Sequence, residues 1–147
     1  MIIHIHNMLS SILFRSGRVL NTDIAALVLR IAFGAFMAWN WGSFKFMGLL
    51  FRGEGADFPD PLGVGGYVSM GLTVFAESIC ATLVFLGLFT RLALIPLLIS
   101  TLIIAFKIHW NDTFDVKEHA LHFFAGYLAI FLIGSGKYSL DYLFFKK

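Results

Sequence analysis

The chain has 147 residues, of which 59% are hydrophobic, with a mean hydropathy of +0.83 and a formal net charge of +2. An apolar fraction this far above the roughly 45–50% of soluble domains indicates one integral membrane domain embedded in a lipid bilayer. The small charge, with no basic run interleaved with aromatic residues, excludes a nucleic-acid partner, and the single cysteine, Cys80, excludes an internal disulfide, a CxxC redox pair and a thiolate metal cluster.

The first predicted element is an N-terminal interfacial segment over residues 1–22. Apolar residues recur there at nearly helical spacing, and Arg15 and Arg18 follow them. A cleavable signal would place its cations before the apolar part, so we expect an interfacial helix or an extension of the first span instead. Asn21, Thr22 and Asp23 then offer N-caps for that span.

Four apolar stretches are long enough to cross a bilayer, which requires about 20 residues. They are predicted at residues 24–50, 63–89, 92–108 and 118–134. Three connections join these stretches. The first, Phe51–Pro61, is rich in Gly, Pro and Asp, and the other two, Thr90–Arg91 and His109–Lys117, are polar. The sequence therefore predicts an all-α membrane protein, an antiparallel four-helix transmembrane bundle, over residues 23–141, followed by a basic tail at 142–147.

Basic residues concentrate on one side of this predicted bundle. Because four spans place both termini on the same side, that side carries Arg15, Arg18, Arg91, Lys137, Lys146 and Lys147. The connections on the other side carry Arg52 and Lys117. The positive-inside rule therefore predicts that both termini are cytoplasmic.

Polar residues form a seam inside the spans. On the first span, steps of three and four residues place five residues on one helical face: Arg30, Gly34, Met37, Trp41 and Lys45. A cation facing lipid costs about 2.5–3.5 kcal/mol, so we expect this face to turn toward the other helices. Since the long side chain of Arg30 can reach upward to Glu77, we predict a buried Arg30–Glu77 ion pair, which holds two helices in register or lines a functional cavity.

Depth along the helices groups further residues. At about 1.5 Å per residue, the four spans bring five residues to similar heights in the middle and outer half of the bilayer: Asn40, Glu77, Lys107, Glu118 and His122. If their faces point inward, they line one cavity that opens outward. For Lys107, Glu118 and His122, the alternative is that the side chains reach into water at the membrane border.

Glu118, His119 and His122 are helical neighbours that could share a cation, and His109 lies in the adjacent loop. The chain has no HExxH motif or equivalent, however. We therefore predict no metal site, and we expect no bound haem or flavin.

Five short motifs occur in order between residues 24 and 141. They are Leu29-Arg30 with Gly34, Trp41-Gly42-Ser43-Phe44-Lys45, Ala76-Glu77, Gly87-Leu88-Phe89-Thr90-Arg91, and Gly134-Ser135-Gly136-Lys137-Tyr138-Ser139-Leu140-Asp141. Together they resemble the DoxX family of small four-span bacterial membrane proteins. The resemblance matches Arg30, Lys45 and Glu77 to charged positions of the family, and it identifies no catalytic residue.

The DoxX family includes a small subunit of an archaeal thiosulfate:quinone oxidoreductase and membrane partners of soluble redox or thiol-stress enzymes. The resemblance therefore implies a multi-pass protein of the bacterial cytoplasmic (inner) membrane with a soluble or membrane redox partner. Whether the chain itself is an enzyme stays open.

We interpret the polar seam as an outward-opening pocket for a small amphipathic ligand, with a quinone as the expected ligand. The predicted ligand-binding residues are Asn40, Trp41, Lys45, Glu77, Lys107, Glu118 and His122. A quinone carbonyl would accept a hydrogen bond from Lys107, His122 or Asn40. Glu77 would relay or balance the proton. The apolar walls of the pocket would be formed by Phe33, Phe36, Trp41 and Phe75.

Two alternatives stay open. The first is a non-catalytic assembly module that docks a partner through its loops. The second is a small transporter, for which a homodimer would supply the missing symmetry.

Overall fold

The computed structural model describes residues 21–145, which form helices joined by short connections. The helices are α1 (Thr22–Arg52), α2 (Gly66–Leu86), α3 (Thr90–Ile108), α4 (Phe114–Ile133) and α5 (Leu140–Phe145). No strand occurs in this part of the chain. The first four helices are each long and apolar enough to cross a membrane, which confirms the predicted all-α fold with four spans.

The two ends of the bundle carry different parts of the chain. One end holds Asn21, the α2–α3 turn and residues 134–145, and we call it the terminal side. The other end holds the connections at residues 53–65 and 109–113, and we call it the loop side. Residues 1–20 of the predicted interfacial segment and Lys146–Lys147 of the predicted basic tail lie outside the described residues.

The start of α1 confirms one of the predicted caps. The side chain of Asn21 accepts a hydrogen bond from the Asp23 backbone N at 3.2 Å, so α1 begins at Thr22. Asp23 itself binds the other end of the chain, because its Oδ1 accepts a hydrogen bond from the Lys137 backbone N at 2.9 Å. This contact fastens residue 137 beside the beginning of α1.

The turn between α2 and α3 lies earlier than predicted. It runs through Gly87 and Phe89, whose φ angles are 70° and 48°, while Thr90 and Arg91 are already the first residues of α3. The carboxylate of Asp141 accepts hydrogen bonds from the backbone N atoms of Phe89 at 2.6 Å and Thr90 at 3.0 Å. This long-range carboxylate stabilises the left-handed Phe89, and the pattern of local residues alone does not reveal it.

Helix α4 also begins earlier than predicted, at Phe114 instead of Glu118. Its first turn includes Asp115, whose negative charge is favourable at a helix N-terminus. Lys117 Nζ donates to the Trp110 carbonyl oxygen at 2.8 Å and so fastens the short loop to the helix.

The core of the bundle contains apolar side chains from all four spans, with both large and small residues among them. Leu94, Leu97 and Ile130 are fully buried. Helices α1 and α2 approach closely at Gly34 and Gly42, where an added Cβ would lie 2.7 Å from the Phe85 N and 2.8 Å from the Ser78 Cα. Small residues at these positions allow the two backbones to touch, as is common between membrane helices.

Several turns of the spans are π-helical instead of α-helical. They lie at Arg30–Ala35, Met37–Gly42 and Gly48–Arg52 in α1, Phe75–Cys80 in α2 and Ile104–Ile108 in α3. Such turns are frequent at functional sites because the added residue changes the direction of nearby side chains. Arg30 and Glu77, two of the charged residues singled out in the sequence, both lie in π-helical turns.

Candidate functional site

An ion pair connects α1 and α2 inside the bundle. Lys45 Nζ donates to Glu77 Oε2 at 2.6 Å, and the exposed fractions of the two side chains are 21% and 3%. Gly42 lies three residues before Lys45 and packs directly on the backbone of Glu77, so the two helices are close enough for the pair to form. A buried charge without its partner costs several kcal/mol, which makes this contact a strong constraint on helix register.

Glu77 thus pairs with Lys45 and not with Arg30, which corrects the predicted Arg30–Glu77 pair. Arg30 is buried, with an exposed fraction of 1%, and its Nη2 donates to the Tyr138 carbonyl oxygen at 2.7 Å on the terminal side. The physical reason is that side chains on an α-helix lean toward its N-terminus. Arg30 therefore extends away from Glu77, whereas Lys45, farther along α1, leans back toward it.

Aromatic rings continue from the ion pair along the interface of α1 and α4. Lys45 Nζ lies 5.8 Å from the centroid of the Trp41 ring, and the Trp41 and His119 ring centroids are 5.3 Å apart. His119 in turn contacts Phe123 at 5.3 Å, and Phe123 contacts Phe33 at 5.7 Å. The histidine of α4 in this series of rings is therefore His119 and not the predicted His122.

The other predicted ligand-binding residues do not join this group. Asn40, Lys107, Glu118 and His122 are exposed in the described bundle. The His122 side chain is 69% exposed, and its Nε2 lies 3.8 Å from Glu118 Oε1 on the surface of α4. Of the seven predicted residues, the contacts bring together three, namely Trp41, Lys45 and Glu77.

A cavity of about 310 Å³ lies elsewhere, between α2 and α3 on the loop side. We call it the α2–α3 cavity. Most of its lining is apolar, and three hydroxyl residues interrupt it: Ser69, Thr73 and Ser100. Phe75 is the one predicted wall residue that lines it. A largely apolar cavity with a few polar groups is typical of small-molecule sites.

The connection between α1 and α2 folds over this cavity. Its residues Phe58, Pro61 and Leu62 line the cavity from the loop side. The carboxylate of Asp60 holds this segment at the start of α2. Asp60 accepts hydrogen bonds from Ser69 Oγ at 2.7 Å, from the Gly65 N at 2.6 Å and from the Val64 N at 3.0 Å. These bonds, the one from Ser69 above all, hold the pKa of the Asp60 carboxyl below its usual range.

The three hydroxyl groups of the α2–α3 cavity differ in their hydrogen bonds. Ser69 donates to Asp60, and Thr73 Oγ1 donates to the Ser69 carbonyl oxygen at 2.9 Å. The Ser100 hydroxyl makes no hydrogen bond to the residues that the structure describes. Ser100 is therefore the hydroxyl in this cavity with a proton to offer a ligand.

Sequence analysis missed this cavity, although one signal for it was present. Pro96 and Ser100 are four residues apart, so helical periodicity places them on a common face of the third span, and both line the cavity. Lys107, seven residues after Ser100 on the same face, does not line it. The lining from residues 58–62 depends on how the loop folds back, which helical periodicity does not report. Among residues 21–145, no group of three or more His, Cys, Asp or Glu side chains is placed to hold a metal ion.

The fold and these sites define a multi-pass α-helical membrane protein. The chain belongs to the DoxD family: the family model described as "TQO small subunit DoxD" matches residues 66–147, which is more than half of the chain. The match begins at the first residue of α2 and covers α3, α4 and α5. It confirms the DoxX-like affiliation expected from the motifs.

One curated relative has a similar segment. Over 65 residues, the chain is 45% identical to the "Uncharacterized membrane protein Rv3486" of Mycobacterium tuberculosis, a stretch that covers 36% of this chain and 40% of that protein. The similarity thus spans about two fifths of the relative's length. No solved structure matches the chain.

Proposed function

We propose that this protein is a membrane subunit of a quinone-linked redox system and that it binds the quinone in the α2–α3 cavity. The description of its family as a small subunit of TQO supports the subunit role. The observation that carries the ligand assignment is the cavity itself, with a volume of about 310 Å³ and an apolar lining that contains the hydroxyl of Ser100.

The size and lining of the cavity fit a quinone head group. An apolar protein cavity of about 150 Å³ holds a benzene ring, so a volume of about 310 Å³ has room for a substituted or fused ring. Phe75 and Ile103 would contact the faces of the ring, and Ser100 Oγ would donate to one of its carbonyl oxygens. The isoprenoid tail would leave between α2 and α3 into the surrounding lipid.

The chain's own part in such a system is to bind and orient the quinone. The electrons would come from a redox partner, for which the loops at residues 53–65 and 109–113 offer a docking surface beside the cavity. This division of work agrees with a subunit role, in which a second protein carries the redox centre.

We further propose the orientation that the positive-inside rule predicts. Within the described residues, Arg91 and Lys137 lie on the terminal side, and the sequence adds Arg15, Arg18, Lys146 and Lys147 to the terminal segments. The terminal side would then face the cytoplasm of a bacterial cell, and the α2–α3 cavity would lie in the outer half of the cytoplasmic membrane.

The ligand assignment is tested by filling the cavity. Ile103→Trp places an indole in the α2–α3 cavity, while the neighbouring Leu102 is exposed and does not line it, so Leu102→Trp is a matched control. We expect a decyl-substituted benzoquinone or naphthoquinone to raise the melting temperature of the detergent-purified wild type and of Leu102→Trp by several degrees, but not that of Ile103→Trp. An equal shift in all three proteins would contradict the proposed site.

The Lys45–Glu77 pair favours a second candidate, a non-catalytic module that docks a partner. Because the two charges neutralise each other inside the bundle, they stabilise the fold without needing a ligand. In that case Glu77→Gln would weaken partner capture through loss of bundle structure, and no quinone would shift the melting temperature of the wild type. The quinone titration above therefore separates the two candidates.

A further inference from the structure

A cleft of about 450 Å³ opens on the terminal side where α3 begins and α4 ends. It is lined by Arg91 and Leu92 of α3, by Gly134 and Ser135 after α4, and by Asp141 of α5. A neighbouring cavity is also lined by Ser135 and Asp141, and by Lys137 in addition. We call the first of these the Arg91 cleft.

The acids in and beside the Arg91 cleft already have partners. Asp141 accepts hydrogen bonds from the backbone N atoms of Phe89 and Thr90, and its Oδ2 accepts a third from Thr90 Oγ1 at 2.7 Å. Asp23 in the neighbouring cavity is bound to Lys137, both through its backbone N at 2.9 Å and through its Nζ at 3.4 Å. The three donors to Asp141 are neutral, so this carboxylate keeps its charge, and the cation on which that charge acts is Arg30. Neither acid forms an ion pair with Arg91 within the described residues.

Arg91 is the cation of this cleft that has no acidic partner among the described residues. It is exposed and forms no ion pair or hydrogen bond with residues 21–145. Its guanidinium reaches across the mouth of the cleft, since Nη2 would lie 3.8 Å from a Cβ built on Gly134. The Ser135 hydroxyl, on the same rim, also has no hydrogen-bond partner in the described chain. The cleft thus offers a planar guanidinium and a hydroxyl to an anion.

The lining next to these donors is apolar and exposed. Leu92 is 67% exposed and Phe89 52% exposed, and both lie within one turn of Arg91. Arg91 is the second residue of α3, so it lies where a span leaves the hydrocarbon and meets the headgroup layer. A ligand that suits this place has an anionic head at Arg91 and hydrocarbon chains along Leu92.

We propose that the Arg91 cleft binds an anionic phospholipid, with the headgroup phosphate on the guanidinium of Arg91 and the hydroxyl of Ser135. Arginine forms paired hydrogen bonds with phosphate oxygens, and basic pockets between membrane helices bind anionic headgroups. The acyl chains lie on Leu92 and on the lipid-facing side of α3. This lipid site is independent of the quinone proposal, because it lies at the opposite end of α3 from the α2–α3 cavity.

The test is native mass spectrometry of the full chain in detergent, titrated with phosphatidylglycerol or phosphatidylcholine. We expect the wild type to retain phosphatidylglycerol in preference to phosphatidylcholine and Arg91→Gln to bind it about tenfold more weakly, as loss of a hydrogen bond to a charged group requires. Arg91→Lys keeps the charge but not the paired geometry, so its affinity should fall between the two. Arg52→Gln is the matched control, because Arg52 is also exposed but already pairs with Glu54 at 3.0 Å, and it should bind as the wild type does.

Three results would overturn this lipid site. They are equal retention of phosphatidylglycerol by Arg91→Gln and the wild type, equal retention of the two lipids by the wild type, and displacement of phosphatidylglycerol by millimolar inorganic phosphate. The last result would mean that the cleft binds a free anion instead of a lipid. A matching melting temperature for Arg91→Gln and the wild type shows that the variant is folded, as its exposed side chain predicts.

Discussion

Lys45 and Glu77 form an ion pair, with 2.6 Å between Nζ and Oε2, that fixes the register of α1 against α2. The carboxylate is almost fully buried, while the lysine keeps one fifth of its side chain exposed. The pair therefore places a neutralised carboxylate inside the bundle, with its ammonium 5.8 Å from the centroid of the Trp41 ring. At Lys45, the polar face of the first span therefore packs against α2.

Removal of one partner of this pair should destabilise the bundle. Glu77→Gln leaves the Lys45 ammonium without its counter-charge, and we expect the free energy of unfolding in a detergent titration to fall by about 3 kcal/mol. The double variant Lys45→Gln with Glu77→Gln should recover part of the loss. The control is Glu54→Gln, because both side chains of the Arg52–Glu54 pair are 43% exposed and such pairs contribute at most about 1 kcal/mol. Equal stability of Glu77→Gln and the wild type would show that the pair does not support the fold.

The close approach of α1 and α2 at Gly42 leads to a second prediction. A Cβ at residue 42 would overlap with the backbone of Glu77 and lie 2.8 Å from the Ser78 Cα, so Gly42→Ala should push the helices apart and cost about 1–3 kcal/mol. No heavy atom lies within 4 Å of a Cβ built on Gly71 in α2, so Gly71→Ala should be neutral or slightly stabilising. Similar unfolding midpoints for the two alanine variants would contradict the described packing.

The hydrogen bonds of Asp60, in the loop that lines the α2–α3 cavity, predict that the stability of the protein depends on pH. Because they lower the pKa of this carboxyl in the folded protein, the unfolded chain, with its ordinary value of about 3.9, takes up the proton first. The stabilisation is therefore complete above that value and is lost as the pH falls through the folded pKa. The melting temperature of the wild type should decrease in this acidic range.

Asp60→Asn should remove this acidic decrease, since the side chain no longer titrates. Asp57 lies in the same loop, is exposed and makes no hydrogen bond within residues 21–145, so Asp57→Asn is the matched control and should follow the wild type. If the melting temperature of Asp60→Asn depended on pH as that of the wild type does, the acid sensitivity would come from other carboxyl groups, and the prediction would be wrong.

The sequence predicts the spans well because each depends on a local property, the length of an apolar stretch. It predicts the helix ends less well, since those depend on distant contacts. Residues 90 and 91 were placed in a turn because they are polar, yet Asp141, about fifty residues later, binds the backbone N and the hydroxyl of Thr90 and so caps the start of α3. Nothing near Thr90 in the sequence indicates that contact.

The partners of buried charges were predicted from height and side-chain length alone, which was not enough. The long side chain of Arg30 can reach the height of Glu77, but the tilt of helical side chains directs Arg30 to the Tyr138 carbonyl oxygen and Lys45 to Glu77. Height likewise grouped His122 with Glu77, although the rotation of α4 exposes His122 and brings His119 to Trp41. Helix rotation follows from the packing of all four spans, so single-helix periodicity does not determine it.

The most direct test of the account is to extract the protein with its native lipids and measure bound quinone by mass spectrometry. Wild type and Leu102→Trp purified from membranes that contain quinone should each carry it, and Ile103→Trp should not, because an indole at residue 103 takes the place of the ring in the α2–α3 cavity. Equal quinone in Ile103→Trp and the wild type, or none in the wild type, would contradict the proposal that this cavity is a quinone site.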